Sequence, residues 1–266
     1  MSIHQLQNLS GDTLRDSALA IAMGAVPGVK HVNKFGTNRA ISTTIEYVWA
    51  QGNGWTQLPA TTLLEVASSS VNDVMTSGTG SWLVTIEGLD GNGLEITDIV
   101  ELNGQTPVLT ALQFSFVNSA YVSLCGSGQV NDGIIYIADD STAWSSGVPV
   151  TSASIQGHIS AGSGQTQQMI YKVPSNYWAF TTRGYITADS SKIITYRFFL
   201  VLPGTNCHRI GFEGTLSSGD TVLPFNPYFG PLPPGSIVYA DAVVSTGSAA
   251  VSAGLDFILV DSKYMS

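Results

Sequence analysis

The sequence predicts an all-β protein: two β-sandwich, jelly-roll-like domains preceded by an N-terminal arm with a short helix. Three observations lead there. From Ile41 onward, stretches of alternating apolar and polar residues recur at roughly ten-residue spacing. Clusters of Gly, Asn and Ser, the residues that supply positive φ and tight turns, separate these stretches. Only 11% of the 266 residues are charged while 44% are hydrophobic, where an ordinary globular chain is about a quarter charged. The exterior is therefore built from Ser, Thr, Gly and Asn. Such a surface costs little to desolvate and suits a protein that lies against other protein. The expected division is an arm over 1–40, a first sandwich over 41–164 and a second over 165–266. One large sandwich of two extended sheets is the alternative.

The elements follow in order. Asp12 or Thr13 is placed to cap a short helix running to Ala22, which Gly24 and Pro27-Gly28 then stop. Residues 29–40 mix Gly, Asn and basic side chains with isolated apolar ones, a composition that rarely makes its own core. They read as an extended arm laid on another subunit or a partner, or else as a plain disordered leader. Residues 81–88 (SWLVTIEG) alternate, with Trp82, Val84 and Ile86 on one face and Thr85 and Glu87 on the other. The Gly- and Asn-rich run 88–93 reverses the chain, and 94–102 return as the second strand of a hairpin. Residues 113–124 and 133–138 continue the pattern. The Ser-, Gly- and Thr-rich stretch 148–164 is the expected linker. Beyond it, strands are expected over 168–173, 178–188, 192–202, 236–245 and 251–260. In the last of these Val251, Ala253, Leu255, Phe257 and Leu259 share one face, opposite Asp256. The proline-rich stretch 225–235 reads as a long ordered loop, because its prolines remove ladder donors.

Composition also bounds the chemistry. A net charge of −9, with ten scattered Lys and Arg, leaves too few phosphate contacts for nucleic acid. Lys30, Lys34 and Arg39, with His31 and Phe35 among them, form the one basic stretch, expected as a solvated arm or as a contact to an acidic partner surface. The N-terminus lacks a basic start followed by an apolar core, so synthesis without a recognisable export signal is expected. The apolar run 18–26 is too short to span a bilayer, and no membrane partner is expected. Cys125 and Cys207 lie far apart without metal-ligand spacing and read as buried free thiols, with a disulfide the less supported state.

No catalytic constellation emerges. The four histidines (His4, His31, His158, His208) show no metal-site pairing, and the adjacent Cys207 and His208 point to opposite faces of a strand. Asp139-Asp140 reads as an acidic turn rather than a Ca²⁺ loop. Glu95, Asp98 and Glu101 fall on both faces of one strand and do not converge. The Gly-rich runs lack the Lys and following helix of a phosphate loop. Neither enzymatic activity, a metal nor a cofactor is expected. The aromatic residues remain. Trp49 and Trp55 straddle residues 51–54, Trp144 and Trp178 lie near turns, and Phe225, Tyr228 and Phe229 sit in the proline-rich loop. Packing at a domain or subunit interface is their expected role, with sugar binding the alternative.

A set of short motifs, in order, carries a resemblance. It comprises Glu46-Tyr47-Val48-Trp49, Leu58-Pro59-Ala60-Thr61, Ser70-Val71-Asn72-Asp73, Gly88-Leu89-Asp90, Glu95, Leu102-Asn103-Gly104 and Tyr171-Lys172-Val173-Pro174. Over residues 20–175 the chain resembles structural proteins of tailed bacteriophages that decorate or cement the capsid. The resemblance implies a virion component on the capsid exterior, made in the host cytoplasm, binding the major capsid protein and copies of itself as a homotrimer. A tail, fibre or head–tail connecting protein is the alternative within the virion. A glycan-binding or glycan-hydrolysing β-sandwich protein is the alternative outside it.

Overall fold

A computed structural model describes residues 17–52, 55–189, 192–205, 207–217, 222–225 and 231–265, with backbone alone for 17–19 and 222–225. Asp12, Thr13, Tyr228 and Phe229, and the side chain of Phe225, lie outside the described residues. One short helix, α1 (Ser17–Ala22), precedes the sheets. The chain leaves it through two turns in which Gly24 and Gly28 adopt positive φ.

The strands in chain order are β1 (Val29–Ile41), β2 (Glu46–Tyr47), β3 (Leu64–Ser68), β4 (Ser81–Leu89), β5 (Glu95–Glu101) and β6 (Val108–Leu109). Then follow β7 (Phe116–Cys125), β8 (Ile135–Asp139), β9 (Trp144–Ser145), β10 (Val148–Pro149), β11 (Ile155–Ile159) and β12 (Ile170–Lys172). The last six are β13 (Tyr177–Asp189), β14 (Ile194–Val201), β15 (His208–Leu216), β16 (Val222–Phe225), β17 (Ile237–Val244) and β18 (Ala249–Asp261).

Two sheets, β1-β18-β13-β16 and β12-β17-β14-β15, enclose one core. Val251, Ala253, Leu255, Phe257 and Leu259 from β18 meet Ile194, Tyr196 and Phe198 from β14 inside it. Ranking these eight strands by chain position, the sheet orders are 1-8-3-6 and 2-7-4-5. That is the connectivity of an eight-stranded jelly roll. Between its first and second strands the chain departs to build a second sandwich. The sheets β11-β8-β3-β6 and β5-β4-β7 close around Leu64, Val66, Val84, Ile86, Val100, Ile135 and Ile137. A third cluster, including Trp49, Leu89, Phe116, Ile170 and Tyr239, packs the two sandwiches together.

Two expectations are corrected here. Residues 29–40 are no arm: β1 pairs with β18 over eleven partner positions and completes the jelly roll's own sheet. The alternation that would reveal it is missing because its buried positions before Ile41 are Lys34, Gly36 and Asn38 rather than apolar residues. The stretch 148–164 is no linker either. It holds β10, a 3₁₀ turn (Ser152–Ser154) and β11, whose five residues Ile-Gln-Gly-His-Ile are all buried. Gln156 and His158 are tolerated inside because Gln156 Nε2 donates to the Thr56 carbonyl and His158 Nδ1 bonds Gln51 Oε1 at 2.7 Å.

The strands with clean alternation form as expected. β4 and β5 make the hairpin, with Val84 and Ile86 inward. The reversal is fixed by Asp90, whose carboxylate accepts from the Asn92 and Leu94 backbone N–H groups, and by Gly93 at φ 74°. Pro224 sits in β16, where an edge strand spares the missing donor. Both cysteines are free, but Cys207 is exposed beside β15 and Cys125 is only partly covered, so neither is the buried thiol expected.

Candidate functional site

The described surface offers three places where chemistry and shape converge, and each lies on or beside the junction of the two sandwiches. The first is a groove of about 480 Å³ between β1 and the sheet β5-β4-β7. The Lys30 ammonium bonds the Glu95 carboxylate and stands 4.3 Å over the Tyr177 ring. Lys34 Nζ donates to the Asn118 carbonyl. Asn118 in turn clasps Lys172, its Oδ1 accepting from the backbone N–H at 2.9 Å and its Nδ2 donating to the carbonyl at 3.1 Å. Burial pushes the Lys34 amine down to about 7, against the pull of the nearby Glu87 carboxylate. Lys30 and Lys34, expected as the basic grip on a partner, are thus spent inside the chain as staples between its two sandwiches. Phe35 is partly covered and Arg39 is exposed.

The second place is an aromatic cleft of about 330 Å³ where β2, β14, β15 and β17 meet the chain entering the inserted sandwich. Tyr47, Trp55, Tyr239 and His208 wall it, with Thr56, Gln57 and Thr205 at the lip. The rings brace one another: Tyr47 sits 6.1 Å from Trp55 and 5.3 Å from Tyr239, and Phe199 stacks on Tyr239 at 4.9 Å. Trp55 also meets Phe116 edge-on. His208 Nδ1 bonds the Tyr239 hydroxyl at 2.8 Å. Beside the cleft, the Arg197 fork bonds Asp241 at 2.9 and 2.8 Å, and Asp241 opposes Tyr47 in register, fixing β2 on the sheet. Burial raises the Asp241 carboxyl by more than Arg197 lowers it. Trp49, expected with Trp55 at an interface, is fully buried in the cluster between the sandwiches, its Nε1 donating to the Gly52 carbonyl.

The third place is the outer face of the sheet β5-β4-β7. In register, Thr85 lies between Ile99 and Tyr121, and Leu83 lies between Glu101 and Leu124. Ile99 is 59% exposed, Leu124 43% and Tyr121 39%, while Thr85 beneath them is covered. Large apolar side chains clustered on one exposed sheet face, with the exposed Glu101 carboxylate at its margin, mark a contact surface.

Sequence reasoning named Trp55 but missed Tyr47, Gln57, His208 and Tyr239 as its neighbours, since β17 lies far along the chain from β2. It also missed Ile99 and Tyr121; the signal available was an apolar residue on the polar phase of each strand. Asp139 ends β8 and Asp140 lies in the turn that follows, their carboxylates accepting from the Ser141 N–H and the Thr62 hydroxyl. Among the described residues no group of three or more His, Cys, Asp or Glu side chains is placed to hold a metal ion. Among them, too, no helix is long and apolar enough to cross a membrane.

No family model matches the chain. No curated protein matches it in sequence. Among solved structures it is similar to the structure of the infectious bursal disease virus Gx strain, at TM-score 0.23 and 9% identity, over 99% of this chain and 80% of that one. It is similar to the VP2 subviral particle of infectious bursal disease virus, at TM-score 0.23 and 12% identity, over 88% of this chain and 73% of that one. It is also similar to the STIV MCP, at TM-score 0.23 and 8% identity, over 88% and 98%. These likenesses are low on both measures and bear no functional weight.

Proposed function

We propose that the chain is a structural component of a virion, a cement or decoration protein that binds the outer surface of a bacteriophage capsid and bridges major capsid subunits. The observation that carries this reading is the exposed apolar face of Ile99, Tyr121 and Leu124 on a molecule with few charged residues. Burying apolar area at about 25 cal/mol per Å² stabilises such a contact, and the exposed Glu101 at its margin can keep its water. The jelly roll supports the reading at the level of fold analogy, since the architecture recurs in coat proteins as well as in lectins. In this reading the structural units are a jelly roll (29–49 and 168–261) and an inserted sandwich (58–166), and the protein acts as a homotrimer without catalytic activity.

Because Lys30 and Lys34 are internal staples, attachment falls to the apolar cluster of Ile99, Tyr121 and Leu124, with Arg39 as the remaining exposed cation of the basic stretch. Purified protein added to capsids that lack it should co-sediment saturably and raise their thermal stability. Capsids that never retain the protein would contradict the proposal. A second reading, favoured by the eight-stranded connectivity itself, is that the jelly roll forms a shell with its own copies. Closed particles assembling from the purified chain alone would select it. A copy number of a few per particle would select the tail or connector alternative.

A further inference from the structure

The aromatic cleft is not needed by any of these attachment roles, and its chemistry specifies a different ligand. It is continuous with a second lobe of about 450 Å³ lined by Lys172, Leu202, Pro203, Gly204 and Gly235, the two lobes sharing Gln57, Val201, Thr205 and Ile237. Among the nine described residues that line the aromatic lobe there is no Asp, Glu, Lys or Arg. The described lining of this lobe therefore holds no carboxylate to gather a metal ion and no fixed positive charge for a phosphate or sulfate, the nearest being Lys172 in the second lobe. What it offers is ring surface held rigid by ring–ring contacts, with neutral donors and acceptors at the rim. Gln57 and Thr205 are exposed there. The bond from His208 Nδ1 to the Tyr239 hydroxyl fixes the imidazole and leaves Nε2 for a ligand.

Few ligand classes match that combination. An alkyl chain would leave the rim groups unpaired, and an anion would find no fixed countercharge among the described residues of the aromatic lobe. A pyranose ring presents an apolar C–H face to an aromatic wall and hydroxyls around its edge to amide, hydroxyl and imidazole groups. The cleft's two lobes give room for more than one ring. The geometry points to a binding site for a neutral oligosaccharide, with Trp55 and Tyr47 as the stacking wall and Gln57, Thr205 and His208 as the hydrogen-bonding rim. The walls are preorganised, which reduces the ordering cost of binding. The site stands independently of where the chain sits in a particle, because it lies at the internal junction rather than on the exposed sheet face.

The test uses the full chain and saturation-transfer NMR with chitotetraose, maltotetraose and mannotetraose, and a sulfated heparin tetrasaccharide as the anionic arm. At least one neutral tetrasaccharide should bind saturably, with transfer strongest on ring C–H protons, and the heparin fragment should not. Trp55→Ala should weaken binding by about tenfold, equivalent to ~1.4 kcal/mol, with Trp55→Phe recovering part of the loss. Because Trp55 also packs on Phe116, the exposed Gln57→Ala variant provides the independent check and should weaken binding while leaving the melting temperature unchanged. Failure of all three neutral sugars to saturate the wild-type chain would overturn the assignment, as would unaltered binding by both Trp55→Ala and Gln57→Ala.

Discussion

Lys34 shows how much a single buried charge can decide. Its amine is nearly enclosed and donates to the Asn118 carbonyl, and burial lowers its folded pKa to about 7 from the usual 10.5. Between pH 7 and 10.5 the unfolded chain therefore binds more protons at this site than the folded one. The Lys34 contribution to stability rises with pH through that window, by at most about 1.4 kcal/mol per unit, and is lowest below pH 7. Chemical denaturation of wild type and Lys34→Met between pH 6 and 10 checks this: the wild type should gain on the variant as pH rises, and parallel curves would count against it. Asp73 is the opposite case, a buried carboxylate with all its donors in place. It accepts from the Ser68 hydroxyl at 2.6 Å and from the backbone N–H groups of Ser81, Asp132 and Gly133 at 2.6, 2.9 and 2.8 Å. Asp73→Ala strands three backbone donors, each costing about 1–3 kcal/mol, so a loss of at least ~3 kcal/mol is expected in the same denaturation measurement.

At the scale of elements, β1 governs the assembly of the fold. It pairs with β18 along its length, and at Gly36 it passes so close to the jelly roll's second sheet that a Cβ would sit 2.2 Å from both Met169 N and Val48 O. Gly36→Ala should thus cost at least about 2 kcal/mol through forced backbone shift. Gly24→Ala, at positive φ but facing open space, should cost only about 1–2 kcal/mol. Thermal melts of the two variants distinguish crowding from conformational strain. The same strand shows where the sequence was legible and where it was not. β14 and β18 bury apolar residues at alternate positions over most of their length and β4 does so at Val84 and Ile86, so their period is visible without the structure. β1 and β11 bury Lys34, Asn38, Gln156 and His158, whose bonding partners lie on other elements, and no local pattern announces them. The insertion of one sandwich between the first two strands of the other was hidden for a related reason. Strand order in a sheet is set by packing across long sequence separations, which alternation does not encode. The cleft was half legible: Trp55 stood out by type, while Tyr239 and His208 reached it only through the fold.

For the whole molecule, few charged residues now have specific places. The basic stretch works inward, through Lys30 on Glu95 and Lys34 on Asn118, to lock the jelly roll to its insertion. The outward face of β5-β4-β7 carries an exposed apolar cluster, Ile99, Tyr121 and Leu124, with Glu101 in register beside it. A double variant Ile99→Asp/Tyr121→Asp should therefore keep the wild-type fold, since both side chains are exposed, and lose capsid binding in a co-sedimentation assay. Arg39→Ala should weaken binding far less. Of all these measurements, the occupancy of capsids by the purified protein bears most directly on the proposed role. Cryo-electron microscopy of capsids saturated with wild-type chain should show density at every equivalent lattice position, with the β5-β4-β7 face turned to the shell. Empty lattice positions, or density confined to one vertex, would contradict it.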